Sequence, residues 1–416
     1  MPPLIIIVKF AEIALRAVFV ILVTYTLKLE EAGQFGIVVT LQGLASFAFG
    51  YERYIDLQRR LVGESAEIFD GAIFRAFLFF CGNYVLFSPF FLLALFFVAD
   101  ITGVILALCI AVAIGEHISN LAYHLTLVNS RYKIYLYASF IKTALVLVLI
   151  CILIFLNSID LKRVLIVWGC LAGSLTLVTV ICWLKTSSFK HTQIKALWND
   201  IASQYNLSGT HFLIGLLAVL SLQLDRLVVG SILSFELTGV YFRHVLISAL
   251  VYQIFNVGFY SRLVPTIFKA AKTTSADEIA LLINRTYFKV LLFIALIFVF
   301  VFALGMIGDG VLLNRYSLDI LVLSGLILAC ALRIRADLNA LIFNAFYKEK
   351  LVLKIQFACV CIGIFLSVIL TYVAGLYGTI SATILMALIY VTYTYYSLKR
   401  LRPDMNNINR ASTEDV

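Results

Sequence analysis

The stretch YLYASFIKTALVLVLICILIFL, Tyr135 to Leu156, decides the fold of this chain. Lys142 is its single charged residue, and as an α-helix it is long enough to cross a hydrocarbon core of ~30 Å. Apolar runs of this length recur along the whole sequence. We therefore predict an all-α integral membrane protein.

The composition supports this prediction. Of 416 residues, 62% are hydrophobic and 13% are charged, whereas a soluble domain has about 25% charged residues. A formal charge of +9 raises the possibility of a nucleic-acid partner, but the basic residues lie mostly in short connections rather than on one folded face. The eight cysteines fall inside apolar runs without the spacing of a zinc site. We predict no nucleic acid, no metal and no cofactor.

Apolar stretches of roughly 20 residues, broken at polar turns, predict twelve spans. The first six are 4–27, 35–57, 74–98, 101–128, 135–156 and 164–184. The second six are 211–233, 240–260, 287–306, 318–346, 351–373 and 376–397.

The basic residues between these spans predict the orientation. The even-numbered connections and the C-terminal tail hold 17 Lys and Arg, and the odd-numbered connections hold 4. Since cationic segments resist translocation, both termini are expected in the cytoplasm, and the short odd connections outside.

Four segments follow from this layout. They are an N-terminal six-helix lobe (1–184), a linker (185–210), a C-terminal six-helix lobe (211–397) and a cytoplasmic tail (398–416). In the linker, Ile194, Leu197, Trp198, Ile201 and Tyr205 share one helical face. This periodicity predicts an amphipathic helix lying in the membrane interface, in preference to a plain polar linker.

A short repeat relates the two lobes. The turn after the first span reads EEAGQF (30–35), and the turn after the seventh reads ELTGVY (236–241). The two glycines, Gly33 and Gly239, are 206 residues apart. Equivalent turns on the same side of the membrane predict a parallel repeat with a central cavity between the lobes.

At these motifs the chain resembles the polysaccharide transporters that include the O-antigen flippases, within the superfamily of multidrug and lipid-linked oligosaccharide exporters. The segment LDRLVVGSILSFELTGVYF (Leu224 to Phe242) looks like the family's seventh-span pattern, and KLEEAGQFG (Lys28 to Gly36) like its first-turn counterpart. The resemblance implies a MATE-like fold in a bacterial inner membrane. It implies no enzymatic activity but transport of a polyprenyl-diphosphate oligosaccharide, such as an undecaprenyl-linked lipopolysaccharide repeat unit, with glycan polymerases and other assembly proteins as partners.

Charged residues inside the spans mark the candidate site, because each costs about 2.5–3.5 kcal/mol near the bilayer centre and so faces a cavity or a partner. Lys9, Glu12 and Arg16 stack on one face of the first helix. We expect Arg16 in the cavity, whereas for Lys9 and Glu12 a private ion pair is equally good. In the seventh helix, Asp225 and Arg226 interrupt an apolar run, and the pair can partly neutralise itself.

Three further arginines lie in the predicted second and tenth spans. Arg333 and Asp337 are i, i+4 partners, whereas Arg335 lies about 200° around the helix from Arg333. We expect Arg333 to face the cavity. Arg53, with Glu52, lies at the cytoplasmic end of the second span, where snorkelling to water competes with a role in a cavity vestibule.

The fourth helix carries Glu116, Asn120 and His124 at i, i+4 and i+8, with His117 beside them. A carboxylate and imidazoles in a dry setting can carry protons. Hydrogen bonds that hold helices together explain the stripe equally well, and no metal-ligand spacing is present.

If Arg16, Arg226 and Arg333 line one cavity, it is a positive chamber suited to phosphate oxygens. Coupling to protons or sodium through Glu12, Glu116 or Asp225 and drive by the membrane potential stay open. A multidrug exporter of the same fold is the nearest alternative, although cationic drugs favour an acidic chamber. A membrane glycan polymerase or ligase fits less well, because the outer loop at 307–317 is short for an acceptor site.

Overall fold

The computed structural model describes residues 3–51, 53, 57, 66–128, 133–186, 194–271, 274–307, 319–346 and 348–414. Within these ranges the regular structure is helical throughout, and no strand occurs. The chain divides into two compact units, Met1–Val219 and Leu220–Val416. The all-α prediction is confirmed.

Six helices lie wholly within the first unit. They are α1 (Pro3–Thr26), α2 (Leu29–Gly50), α3 (Ala66–Ala99), α4 (Val104–Val128), α5 (Lys133–Phe155) and α6 (Leu161–Thr186). A long seventh helix, α7 (Ile194–Ile232), begins in the first unit and ends in the second.

The second unit is helical with two irregular points. Its helices are α8 (Phe235–Phe255), a π-helical turn (Asn256–Tyr260), α9 (Ser261–Ala270), α10 (Ala276–Ile307), α11 (Ile320–Ala345) and α12 (Glu349–Glu414). The last of these is broken at Ala374 and Gly375, and Gly375 has φ +58° and ψ −136°. Glycine adopts this backbone conformation without a steric cost, so α12 is two helices, 349–373 and 376–414.

Among the described residues, nine segments are long and apolar enough to cross a membrane. Glu349–Leu401 is counted once among them although it contains the break in α12. The other two long helices, α1 and α11, each carry three charged residues: Lys9, Glu12 and Arg16, and Arg333, Arg335 and Asp337. Counting them and both parts of α12, twelve helices have the length of a span, as predicted.

The repeated turns have the same backbone structure. Each connects two helices through two residues, Leu27 and Lys28 in one case and Leu233 and Ser234 in the other. The backbone hydrogen bonds correspond at the same offset of 206: Leu27 N–H to Val23 O with Leu233 N–H to Val229 O, and Ala32 N–H to Lys28 O with Thr238 N–H to Ser234 O. The repeat seen in six letters is therefore also a structural repeat.

Several predicted boundaries need correction. The described part of the linker, 194–210, is not a separate element, because it continues without interruption into the seventh span as α7. The predicted tail is helical to Glu414. The second helix ends at Gly50, where Tyr51 takes a left-handed φ of 49°, rather than at Leu57. Glu52 and the outer-loop residues 308–318 lie outside the described residues.

Close packing of α4 against α6 supports the first unit. Gly169 on α6 approaches Leu108 on α4 so closely that an added Cβ would lie 2.7 Å from Leu108 Cβ and 3.1 Å from its carbonyl oxygen. One turn later, a Cβ on Gly173 would lie 3.6 Å from Ala111 Cβ, an ordinary contact. Gly169 is thus a tightly packed position on α6, and Gly173 is a control position on the same helix with room for a Cβ.

We predict that Gly169→Ala lowers the melting temperature of the detergent-purified protein, because overpacking costs about 1–3 kcal/mol. Gly173→Ala gains the same helix propensity without the clash, so its melting temperature should equal or exceed that of the wild type. Thermal denaturation followed by tryptophan fluorescence measures both. Equal melting temperatures for the two variants would contradict this account of the α4–α6 contact.

Candidate functional site

The first unit contains a buried charge cluster, the Glu116 cluster, made of Arg16, Glu116, Lys142 and Trp168. Glu116 Oε2 accepts a hydrogen bond from the Arg16 guanidinium at 2.8 Å, and Oε1 accepts from Lys142 Nζ at 2.8 Å and Trp168 Nε1 at 3.3 Å. The donors come from α1, α5 and α6, so one carboxylate on α4 connects four helices. With two cations on one carboxylate, the cluster keeps one positive charge.

The cations differ in exposure. The side chain of Lys142 is 4% exposed, whereas that of Arg16 is 38% exposed. If Arg16 moved to an anionic ligand, Lys142 would still neutralise Glu116. The geometry therefore leaves Arg16 able to bind a ligand. Lys142, the single charged residue of its predicted span, is buried and ion-paired.

The other two charged residues of α1, Lys9 and Glu12, form an ion pair with each other. Lys9 Nζ lies 3.1 Å from Glu12 Oε2, and Ser139 Oγ donates to Glu12 Oε1 at 2.7 Å. Glu12 therefore pairs with Lys9, which is the private ion pair considered from the sequence. Arg16 pairs instead with the Glu116 carboxylate on α4.

The polar stripe of α4 does not act as one chain. Glu116 directs its carboxylate to other helices, Asn120 is exposed, and His117 shares a 2.7 Å hydrogen bond with the Tyr84 hydroxyl. The ring of His124 lies 5.3 Å from that of Tyr123. Hydrogen bonding between helices accounts for Glu116 and His117.

Arg53 is 3% exposed, and its guanidinium lies 6.0 Å from the centroid of the Phe79 ring. The expected snorkelling to water is thus incorrect, because protein covers the side chain. A cation over an aromatic face is a stabilising contact in a dry setting. The structure places Arg53 against α3.

The second unit encloses a cavity of about 310 Å³, the C-terminal cavity. It is lined by residues of α7, α8, α11 and α12 and by Asn256 of the π-helical turn. Asp225, Arg226 and Arg333, all predicted as site residues, lie on its wall. Its other polar lining residues are Ser221, Gln223, Ser248, Tyr252, Gln253, Gln356, Thr383 and Tyr390.

Arg333 is held firmly in this wall. Its Nε lies 3.1 Å from Asp337 Oδ1, its NH1 donates to Ser221 Oγ at 2.5 Å, and its guanidinium lies 4.7 Å from the Tyr390 ring centroid. The Tyr252 hydroxyl donates to Asp337 Oδ2 at 2.8 Å. The charge of Arg333 is therefore locally neutralised.

Arg335 points elsewhere, as the helical periodicity requires. Its guanidinium lies 5.2 Å from the ring centroid of Tyr287 on α10, and it is not among the residues that line the C-terminal cavity. Of the two arginines, the structure places Arg333 on the cavity wall.

The guanidinium of Arg226, unlike that of Arg333, has no ion-pair partner among the described residues. The neighbouring Asp225 accepts hydrogen bonds from the Tyr241 hydroxyl at 2.5 Å and from the Arg226 backbone N–H at 2.9 Å. Within the described part of the chain no carboxylate forms an ion pair with the Arg226 guanidinium, and its buried Nε has no hydrogen-bond partner. The expected self-neutralisation of this pair through its side chains is not observed.

Two buried amide oxygens in the same wall, Gln223 Oε1 and Gln356 Oε1, also have no donor among the described residues. A buried polar atom without a partner costs about 1–3 kcal/mol. A cavity with an unpaired guanidinium and free acceptors is thus ready for a polar, anionic ligand that also carries hydroxyl or amide donors.

Sequence reasoning missed Lys142, Trp168, Ser139, Tyr252 and Tyr390. All five contact charged residues on other helices, which no spacing within one helix reveals. Lys142 had a signal, because a lysine two turns inside a span needs a carboxylate and Glu116 lies in the preceding helix. No comparable sequence signal pointed to the aromatic residues Trp168, Tyr252 and Tyr390.

No protein-family model matches the chain, and no curated protein matches its sequence. Solved structures do match. An inward-facing multidrug resistance MATE family transporter of the MOP superfamily aligns with a TM-score of 0.69 and 14% identity, over 94% of this chain and 96% of that chain. The lipid II flippase MurJ in an inward closed conformation gives 0.69 and 14%, over 95% and 87%. The eukaryotic MATE transporter AtDTX14 gives 0.51 and 12%, over 97% and 96%.

The chain therefore has the fold of the MOP-superfamily transporters and is a multi-pass membrane protein. Its structural neighbours are transporters and a flippase, not enzymes. The fold is shared by a multidrug resistance transporter and a lipid II flippase, so the fold alone does not identify the function of this chain.

We predict that Glu116→Gln lowers the melting temperature, because it leaves the buried Lys142 ammonium without a carboxylate and removing one partner of a buried pair typically costs about 3–5 kcal/mol. Lys142→Met should lower it less, because Arg16 still pairs with Glu116. The double variant leaves no uncompensated buried charge, and the remaining Arg16 is partly exposed. It should therefore melt well above the value expected from adding the two single effects.

The control is Arg163→Gln, which breaks the exposed Arg163–Asp160 pair and should change the free energy of unfolding by less than about 1 kcal/mol. Purely additive effects of the Glu116 and Lys142 changes would show that the two groups are not coupled.

Proposed function

We propose that this protein is a flippase that moves a polyprenyl-diphosphate-linked oligosaccharide, such as an O-antigen or similar surface-polysaccharide repeat unit, across a bacterial inner membrane by alternating access. The proposal rests on one observation above the others: the guanidinium of Arg226 lines the C-terminal cavity without an ion-pair partner among the described residues.

The guanidinium of Arg226 is the charged group of the cavity wall that is best placed to receive an anion. Arg333 is matched by Asp337 on its own helix, and both Asp225 oxygens already accept hydrogen bonds. The charge of Arg226 remains available. A guanidinium presents a planar set of donors that matches phosphate oxygens in pairs, so a diphosphate is the ligand chemistry that this arginine suits best.

The polar rim supports a glycan as the other part of the cargo. Gln223 and Gln356 offer acceptor oxygens, and sugar hydroxyls are donors. A cavity of about 310 Å³ is at the small end of ligand pockets, which span about 300–1,000 Å³. It holds a headgroup rather than a long isoprenoid chain, which can stay in lipid during transport.

In the first unit, Arg16 is the corresponding candidate, since it is partly exposed and can leave Glu116 to Lys142. For energy input, the membrane potential favours the exit of an anion by about 2.3 kcal/mol per charge per 100 mV. Proton or sodium coupling would fall to Asp225, which faces the cavity, rather than to Glu12 or Glu116, which are ion-paired.

The prediction concerns a strain that lacks its own flippase and depends on this protein for surface polysaccharide. Arg226→Ala and Arg226→Lys should both abolish or strongly reduce export, because lysine cannot bind phosphate oxygens in pairs. Lipid-linked repeat units should then accumulate on the inner leaflet, and labelling of surface glycan and extraction of lipid-linked intermediates measure the two effects.

Arg335→Lys is the matched control, since Arg335 lies two residues from Arg333 on α11 but not on the cavity wall. It should insert and export like the wild type. Normal export by both Arg226 variants at wild-type protein levels would refute the assignment of this residue.

The alternative is a cation-coupled multidrug exporter of the same fold. Asp225 on the cavity wall is the observation in its favour, because a carboxylate can hold a cationic drug. Efflux of a cationic dye distinguishes the two functions: an exporter would lose it with Asp225→Asn and keep it with Arg226→Ala. A flippase of the proposed kind shows no dye efflux above the empty vector.

A further inference from the structure

A second polar cluster in the C-terminal unit, separate from the cavity, connects the N-terminal ends of two helices to the middle of a third. It consists of His244 in the middle of α8, Asp319 at the N-cap of α11 and Tyr377 just after the break in α12. We call it the His244 latch. All three segments follow odd-numbered connections, which the charge pattern predicts on the outer side of the membrane.

The hydrogen bonds define the protonation state of His244. Its Nδ1 lies 2.7 Å from the Val240 carbonyl oxygen, to which it must donate. Its Nε2 lies 2.6 Å from the Asp319 backbone nitrogen, which is a donor, so Nε2 must accept. A neutral imidazole has one donor and one acceptor nitrogen, whereas a protonated one has two donors. The latch therefore requires the neutral ring.

Asp319 has a double role in the latch. Its carboxylate Oδ1 caps α11 by accepting from the backbone N–H groups of Leu321 at 2.7 Å and Val322 at 3.4 Å, and Oδ2 accepts from the Tyr377 hydroxyl at 2.7 Å. The hydrogen bonds from Tyr377, Leu321 and Val322 all favour the charged form of the carboxylate. The carboxylate thus stays charged in mild acid.

We propose that His244 is a pH-sensitive latch on the N-terminus of α11: protonation turns its Nε2 from an acceptor into a donor, and the contact with the Asp319 backbone N–H is lost. The imidazolium then faces two charged neighbours, the Asp319 carboxylate, which attracts it, and the adjacent Arg243, which repels it. Attraction to the carboxylate competes with the cap of α11. Acid on this face therefore loosens the first turn of α11.

The consequence reaches the cavity through the helix itself. Arg333 lies fourteen residues after Asp319 on α11, about 21 Å along a rigid helix at 1.5 Å per residue. Loosening the start of α11 frees the element that carries Arg333. The latch does not depend on the nature of the cargo, so its failure would leave the proposed flippase function untouched.

The test is hydrogen–deuterium exchange of the full-length protein in nanodiscs between pH 5 and 8, corrected for the intrinsic pH dependence of exchange. In the wild type, peptides that cover 319–323 should lose protection at a pH below the ordinary histidine value of about 6.5. The N-terminus of α8 is the internal control, because Ser234 caps it without a histidine, and its protection should not change.

His244→Gln retains an acceptor oxygen near the Nε2 position but cannot titrate, so its 319–323 segment should stay protected at every pH. Tyr377→Phe removes one donor from Asp319, leaves the carboxylate freer to attract the imidazolium, and should move the wild-type loss to higher pH. Flat protection of 319–323 in the wild type, or an unchanged pH response in His244→Gln, would overturn the proposal. The wild-type comparison with α8 stands even if His244→Gln does not fold.

Discussion

Hydrocarbon offers no partner to a charged side chain, and this constraint organises both compact units of the protein. Helices α1 and α11 carry three charged residues each, and these are tolerated in a membrane because protein groups or a cavity receive the charges. In the first unit, Glu116 takes two cations from two other helices. In the second, Arg333 pairs with Asp337 on its own helix, while Arg226 faces a cavity. In the first unit these cations thus pair with a carboxylate on another helix, whereas in the second unit Arg333 is neutralised by a carboxylate on its own helix.

The two solutions have different consequences for function. Glu116 can neutralise only one of its two cations, so one positive charge remains in the Glu116 cluster. Arg16 is the more exposed of the two cations. Asp337 neutralises Arg333, whereas the guanidinium of Arg226 on the same cavity wall has no ion-pair partner among the described residues. An exporter of cations would need the opposite balance, and the carboxylate best placed for it, Asp225, already accepts hydrogen bonds from Tyr241 and from the backbone.

The sequence predicted what depends on periodicity and composition. Helix number, the repeat at Gly33 and Gly239, and the opposite directions of Arg333 and Arg335 all follow from spacing within one chain segment. It did not predict the partner of Arg16 or the burial of Lys142, because these depend on which helices become neighbours. The periodicity at 194–205 predicted a helix, but it did not show that this helix continues into the seventh span, because an apolar face fits both a separate helix and the first turns of a longer one.

The central claim is that the C-terminal cavity binds a diphosphate through Arg226, and equilibrium binding tests it most directly. Purified protein in detergent would be titrated with a polyprenyl diphosphate and with the uncharged polyprenol of equal chain length, and complexes counted by native mass spectrometry. The account predicts preferential binding of the diphosphate by the wild type and a roughly 10- to 100-fold loss in Arg226→Ala, as expected for hydrogen bonds to a charged group of about 1.5–3 kcal/mol. Equal binding of both lipids, or an unchanged preference in Arg226→Ala, would contradict it.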